Sequence, residues 1–185
     1  TASIVKSPKA TGNVFIPRFV EKGNIQYKII SIGEKAFENC KINLLTFPED
    51  SEVETFESSC FLNANIKCLQ IPSSVKKIDG CFNIIKGLIK IELSQNNHYF
   101  KILNNRFLLG KSNDDIDNFD VLYFGTCNII NAMIPAQISI IKGYSFYQHT
   151  NLKYINFEAN SQLKTIDNYA FSLTTIDTIR FPASL

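Results

Sequence analysis

The chain has 185 residues, enough for one domain with a sizeable core. Hydrophobic residues make up 45% and charged residues 19%, which excludes wholesale disorder. A net charge of +2 without any Lys/Arg block gives no ground for a nucleic-acid partner, and no apolar run approaches the length of a membrane span.

Residues 1–12 are polar and Lys-containing, and are expected to be an N-terminal linker or the remnant of a cap. Asn13 to Pro17 (NVFIP) is the first strand-like run, with Val14 and Ile16 on one side. A longer connection, RFVEKGNIQYKII, leads to Ser31–Phe37, and its Phe19, Tyr27 and Ile29 must find core partners. From Ile42 the chain becomes periodic. With Pro72 as a mark, apolar residues stand six, three and one before it, at Ile66, Leu69 and Ile71. The same spacing returns at Ile42, Leu45, Phe47 before Pro48, and at Leu88, Ile91, Leu93 before Ser94. It returns again before Pro135, Glu158 and Pro182. A second phrase ends in Phe after a small residue, as in SIGEKAF at Phe37, TFESSCF at Phe61, IIKGYSF at Phe146 and TIDNYAF at Phe171. KILNNRF at Phe107 fits the same phrase, with Arg106 at the small position.

The marks at 48, 72, 94, 135, 158 and 182 are separated by 24, 22, 41, 23 and 24 residues. Four of these gaps fall in the range of leucine-rich repeats, and the long one holds an insertion. Residues 13–185 are therefore expected to form one leucine-rich-repeat solenoid of about seven strand rungs, the last truncated. One repeat cannot bury its own apolar face, and stacking lets each rung cover its neighbours. Repeats of roughly 23 residues would place short parallel β-strands on one face and short helical or 3-10 turns and loops on the other. Proline ends each strand because it has no N–H to donate. The insertion, residues 108–127, has apolar runs flanking a polar, acidic tip and is predicted to be a β-hairpin. Asn113, Asp115 and Asp117 alternate in that tip, but no Gly stands at the sixth place and Phe124 occupies the bidentate Glu position, so calcium is not expected.

The five cysteines form no CxxC pair, and two histidines are too few to suggest zinc. Cys60 and Cys81 both precede a repeat Phe, where stacking would bring them about 5 Å apart, within disulfide reach. The simpler reading makes each a small buried hydrophobe, as Ala36, Ser145 and Ala170 are in other repeats. No nucleophile elbow, P-loop, dinucleotide fingerprint or metalloprotease helix occurs. His98 and His149 both lie in polar phrases and are expected to be solvent-exposed rather than general bases. No catalytic, cofactor-binding or metal-ligating residue is assigned.

Alternation instead predicts a binding surface, because residues two and four before each mark face away from the core. The candidate ligand face is Phe15, Leu44, Thr46, Gln70, Lys90, Glu92, Met133, Tyr154, Asn156 and Arg180. Its Tyr and Arg are types enriched at interface hot spots. The protruding hairpin is a second candidate contact element.

The segments SIGEKAFENC (Ser31–Cys40), CLQIPSSVKKI (Cys68–Ile78) and LKYINFEANSQLKTIDNYAF (Leu152–Phe171) resemble the BspA-like, treponemal-type leucine-rich repeat family. So do IELSQNNHYFKILNNRFLLG (Ile91–Gly110) and DVLYF (Asp120–Phe124), matching that family's mid-array strand-and-hairpin excursion. Departures are the shortened Asp79-Gly80-Cys81, Arg106 at a small position, and Ser94 and Glu158 in place of proline. The resemblance implies proteins on the surface of bacteria and of some mucosal protozoan parasites, which adhere to host matrix or cell-surface proteins or to other microbes. It implies no catalysis and no cofactor. A non-enzymatic cell-surface or secreted adhesion module is thus the first expectation, and an intracellular protein-interaction scaffold the alternative. The sequence opens at Thr1 without a signal-peptide pattern and closes just past Pro182, so it is expected to be part of a longer protein.

Overall fold

Spacing such as Ile66-x-x-Leu69-x-Ile71 puts three apolar side chains on one side of an extended segment, provided the strand bends once between the first two. In the computed structural model, which describes residues 1–185, such segments stack within two units, Thr1–Tyr99 and Phe100–Leu185.

The first unit carries nine strands. They are β1 (Ala2–Ile4), β2 (Thr11–Phe15), β3 (Phe19–Lys22), β4 (Ile25–Ile32), β5 (Lys41–Thr46), β6 (Thr55–Phe56), β7 (Asn65–Ile71), β8 (Lys77–Ile78) and β9 (Lys90–Leu93). One parallel sheet runs β2-β5-β7-β9 and a second runs β1-β4-β6-β8, so each rung contributes a strand to both sides. Register follows the apolar marks. Ile42 pairs with Ile66, Leu45 with Leu69, and Leu69 with Ile91. Ile42, Leu45, Ile66, Leu69 and Ile71 are all buried. Behind them Phe37 stacks on Phe61 at 6.0 Å between centroids, and Phe61 meets Phe56 edge-on at 5.7 Å. Residues 1–12 supply β1, which pairs in parallel with β4, and the first residues of β2.

Proline stops the ladder at Pro48 and Pro72. Where the mark is Ser94 or Glu158, the free N–H continues it instead. Ser94 N donates to Ile71 O at 3.0 Å and Glu158 N to Ile134 O at 3.0 Å.

The helical or 3-10 turns expected opposite the face strands are absent: no helix occurs anywhere in the chain. Each corner is a series of separate turns. In the first, Ala36 N bonds Gly33 O, Glu38 N bonds Lys35 O, and Cys40 N bonds Phe37 O. These i→i+3 bonds recur at every second residue, whereas a 3-10 helix needs them at every residue. The cause is a pair of left-handed residues four apart in each corner. They are Lys35 and Asn39 (φ 54 and 60), then Ser59 and Asn63 (φ 56 and 54), and likewise Gly80 and Ile84 (φ 54 and 56). A left-handed residue cannot continue a right-handed coil. The backbone groups freed this way bond the neighbouring corner, as in Phe37 N to Cys60 O at 2.8 Å and Asn39 N to Leu62 O at 3.0 Å. Asn63 Nδ2 also donates to Asn39 Oδ1 at 2.5 Å.

The connection after Pro17 is itself a hairpin. β3 pairs antiparallel with β4, Lys22 opposite Ile25, around Gly23-Asn24 with Gly23 at φ 61. Arg18 anchors its base by donating to Asp50 and Glu52, and Lys28 reaches Glu52 at 2.7 Å.

The second unit contains β10 (Phe100–Leu103), β11 (Phe107–Gly110), β12 (Val121–Gly125), β13 (Asn131–Ile134), β14 (Ile140–Ile141), β15 (Tyr154–Phe157), β16 (Thr165–Ile166) and β17 (Thr178–Ile179). The face strands pair in the order β13-β15-β17. The insertion is the expected hairpin, β11 against β12, and β10 extends it to three antiparallel strands. KILNNRF is therefore not a repeat corner. Asn104 and Asn105, at φ 52 and 55, make a mirror-image turn between β10 and β11, which leaves Arg106 exposed and sends Phe107 into a strand. β12 then pairs in parallel with β14, and β14 with β16, so the hairpin is built into the second ladder. Asp120 fixes its base by accepting from Ser112 N (2.9 Å), Ser112 Oγ (2.8 Å) and Ser139 Oγ (2.6 Å). Burial works to raise this carboxyl, but the Ser139 and Ser112 hydrogen bonds outweigh it and hold the pKa below the usual range.

His149 departs from expectation: it is buried, not exposed. Its ring lies edge-on to both Phe124 and Phe146 at 5.5 Å, and Nε2 meets Gly125 O at 2.7 Å. Gly125 is required there, since a Cβ would stand 2.3 Å from the Phe146 ring. His98 is exposed.

Candidate ligand-binding faces

Each face strand turns its non-core residues outward, and parallel register lines them up across the rungs. In the first unit one column runs Asn13, Leu44, Cys68 and Lys90, each opposite the next. The neighbouring column holds Phe15 opposite Thr46, and Gln70 opposite Glu92. Gln70 Oε1 accepts from Phe47 N at 2.9 Å, tying the two rungs together. Phe15 stands 59% exposed, Leu44, Thr46 and Gln70 are half-buried, and Lys90 is exposed. Lys90 and Glu92 pair at 2.5 Å across two residues of one strand. That bond raises the lysine's pKa. Burial pushes the Cys68 thiol up, and Glu92 adds to it, so this cysteine remains an un-ionised thiol on the face.

In the second unit the columns are Asn131, Tyr154, Thr178 and Met133, Asn156, with Arg180 one residue beyond the end of β17. Met133 is 52% and Tyr154 46% exposed, and Asn156 and Arg180 are exposed as well. The sequence-derived candidates thus divide into two groups, six residues on one unit and four on the other.

Cys60 and Cys81 are buried free thiols on adjacent corners. Burial drives the Cys81 thiol well up, and the neighbouring Cys60 thiol, hydrogen-bonded to it, pushes the same way. Both are buried, and the raised Cys81 thiol is not poised as a nucleophile.

Counting back by twos missed the residues five and seven before each mark. In β5 and β7 both Asn43 and Leu44, and both Lys67 and Cys68, lie between consecutive buried positions, so the outward set is wider than strict alternation allows. The signal was present in the three-residue spacing of Ile42 to Leu45, which a flat strand does not permit.

Comparison with known proteins agrees with this architecture. The family of BspA type leucine rich repeat regions matches the chain in six copies, over residues 12–109 and 105–185. The crystal structure of the pneumococcal vaccine antigen PcpA superposes with a TM-score of 0.78 at 22% identity, covering 94% of this chain and 40% of that one. A leucine-rich repeat protein from Eubacterium ventriosum aligns with a TM-score of 0.57 at 23% identity, covering 78% of this chain and 42% of that one. The chain thus spans about two fifths of the length of these structures, and at such identities the likeness is one of fold. No curated protein matches it. With six matched copies spread over nearly its whole length, this chain belongs to the BspA-type leucine-rich repeat family.

Proposed function

We propose that the chain is a non-enzymatic protein-binding module that acts in adhesion at a cell surface, using the outward columns of its face strands. The observation that carries this reading is the placement of large apolar side chains where sheet stability does not call for them. Phe15, Met133 and Tyr154 stand 59%, 52% and 46% exposed on strand positions that Thr, Gln or Asn fill elsewhere. Exposed aromatic rings on a rigid strand present contact area at small entropic cost, and the flexible thioether of Met133 adapts its shape to a partner. The family setting supports the same reading, since stacked repeats offer extended surfaces for protein partners.

The test is equilibrium binding of the chain to a panel of matrix proteins and host-cell surfaces, beside a Tyr154→Ala/Arg180→Ala variant. The expected result is binding that the double substitution weakens at least tenfold, about 1.4 kcal/mol. Binding unchanged by it would remove the assigned face. Binding to no surface protein, with capture of a cytosolic partner instead, would replace adhesion by an intracellular scaffold.

A further inference from the structure

The first unit holds a second surface with different chemistry from the outward columns. Beside them, where β5 and β7 carry their extra outward residue, lies a cleft of about 270 Å³ whose lining includes Thr11, Lys41, Asn43, Asn65 and Lys67. Asn65 pairs with Lys41 on one side and bridges to Lys86 on the other, which brings a third lysine into line. Lys41 and Lys86 are thus two rungs apart, about 10 Å.

These lysines differ from most others in the unit, although Lys9 and Lys22 likewise have no carboxylate partner. Lys28, Lys76 and Lys90 each hold a carboxylate at 2.7, 3.0 and 2.5 Å. Lys41, Lys67 and Lys86 are exposed and have no carboxylate within 4.0 Å. Glu92, on a neighbouring column, is already taken by Lys90. Three uncompensated ammonium groups, Lys41 and Lys67 in the cleft lining and Lys86 on the rung bridged to Asn65, sum to a local positive potential, although the whole chain is near neutral. The corresponding columns of the second unit lack this character. Their residues are Asn128, Asn151, Thr175 and Ile130, Lys153, Asp177, and the single lysine donates to Thr175 Oγ1 at 3.2 Å.

The lining also narrows the ligand. It contains no aromatic ring on which a nucleobase could stack, and its one large apolar side chain, Ile42, is buried beneath the surface at 1% exposure. It does contain the Asn43 and Asn65 amides and the Thr11 hydroxyl, which both donate and accept and so match sugar hydroxyls. Gly87, at φ 68, leaves room for the Asn65 side chain, since a Cβ there would stand 2.6 Å from Oδ1. We propose that this cleft binds an anionic polysaccharide, its acidic groups paired with Lys41, Lys67 and Lys86 and its hydroxyls with Asn43, Asn65 and Thr11.

The probe is heparin, titrated onto the full chain at several salt concentrations. Saturable binding that weakens steeply with salt is expected, because exposed charge pairs are screened. A Lys41→Gln/Lys67→Gln/Lys86→Gln variant is expected to lose at least tenfold in affinity. A Lys22→Gln/Lys76→Gln/Lys77→Gln variant, with the same change in net charge on β3 and the β8 side of the same unit, outside the cleft lining, is expected to bind as the wild type does. Equal loss in both variants would reduce the effect to net charge and overturn the site. Equal wild-type affinity for polyglutamate or single-stranded DNA would overturn the choice of polysaccharide, as would no heparin binding at all. The cleft does not share residues with the Tyr154 and Arg180 face, so the two assignments fail independently.

Discussion

At the scale of single residues, the repeat phenylalanines hold the two sides of each rung together. Phe61 is completely buried and Phe82 nearly so, at 0% and 3% exposure. Phe61 touches the ring of the preceding corner and that of the opposite ladder at once. Truncating either leaves a void that rigid strands cannot collapse around. Phe61→Ala and Phe82→Ala are each expected to destabilise by about 3–5 kcal/mol, read as a lowered denaturant midpoint at unchanged slope. A midpoint within experimental error of the wild type would place the ring outside the core. These positions were legible because a buried ring after a small residue recurs at fixed spacing. His149 was not. Its neighbours Tyr147, Gln148 and Thr150 read as loop, and nothing local reveals that Gly125, 24 residues earlier, offers a carbonyl and, lacking a Cβ, lets the Phe146 ring pack against it.

At the scale of elements, the strands were legible and the corners were not, for one reason. Burial imposes an apolar period that sequence displays, whereas a left-handed backbone residue leaves no such period when Lys35, Ser59, Tyr144 or Ile84 adopts it. The hairpin of β3 and β4 was within reach, since Gly23-Asn24 between alternating runs is a two-residue turn signal. The proline mark shows the opposite hazard, in which pattern alone misleads. Ser94 looks like a lapse from the motif that proline would repair. Its N–H, however, donates to Ile71 O at 3.0 Å, and Ile71 is fully buried. Ser94→Pro removes the donor and strands that carbonyl. It is expected to destabilise by about 1–3 kcal/mol, the cost of leaving a buried polar group unpaired. Thermal unfolding of the variant decides the matter, and an unchanged or raised midpoint would show the bond to be dispensable.

At the scale of the whole molecule, the fold makes stability depend on pH through two buried titratable groups, His149 and Asp120. His149 ordinarily titrates near 6.5. Burial pushes its pKa down, and the Gly125, Tyr147 and Phe146 backbone contacts only partly oppose that. The folded state therefore binds this proton less readily than the unfolded chain. Stability is fully present above about pH 6.5 and is lost as pH falls through the lowered folded value. Asp120 acts lower down. Its carboxyl is held below the ordinary range by Ser139 and Ser112 against the effect of burial. Its contribution persists at neutral pH and disappears only as pH falls through that depressed value, releasing the base of the hairpin. Acidification is thus expected to weaken the chain in two successive ranges. Denaturant midpoints measured from pH 8 downward should begin to fall near pH 6.5, and His149→Phe should flatten that first decline while leaving the more acidic one. The substitution lowers the absolute midpoint too, since it orphans Gly125 O, so the informative quantity is the slope with pH. A variant whose slope between pH 7 and 5 equals that of the wild type would mean that the first decline belongs to groups other than the buried imidazole.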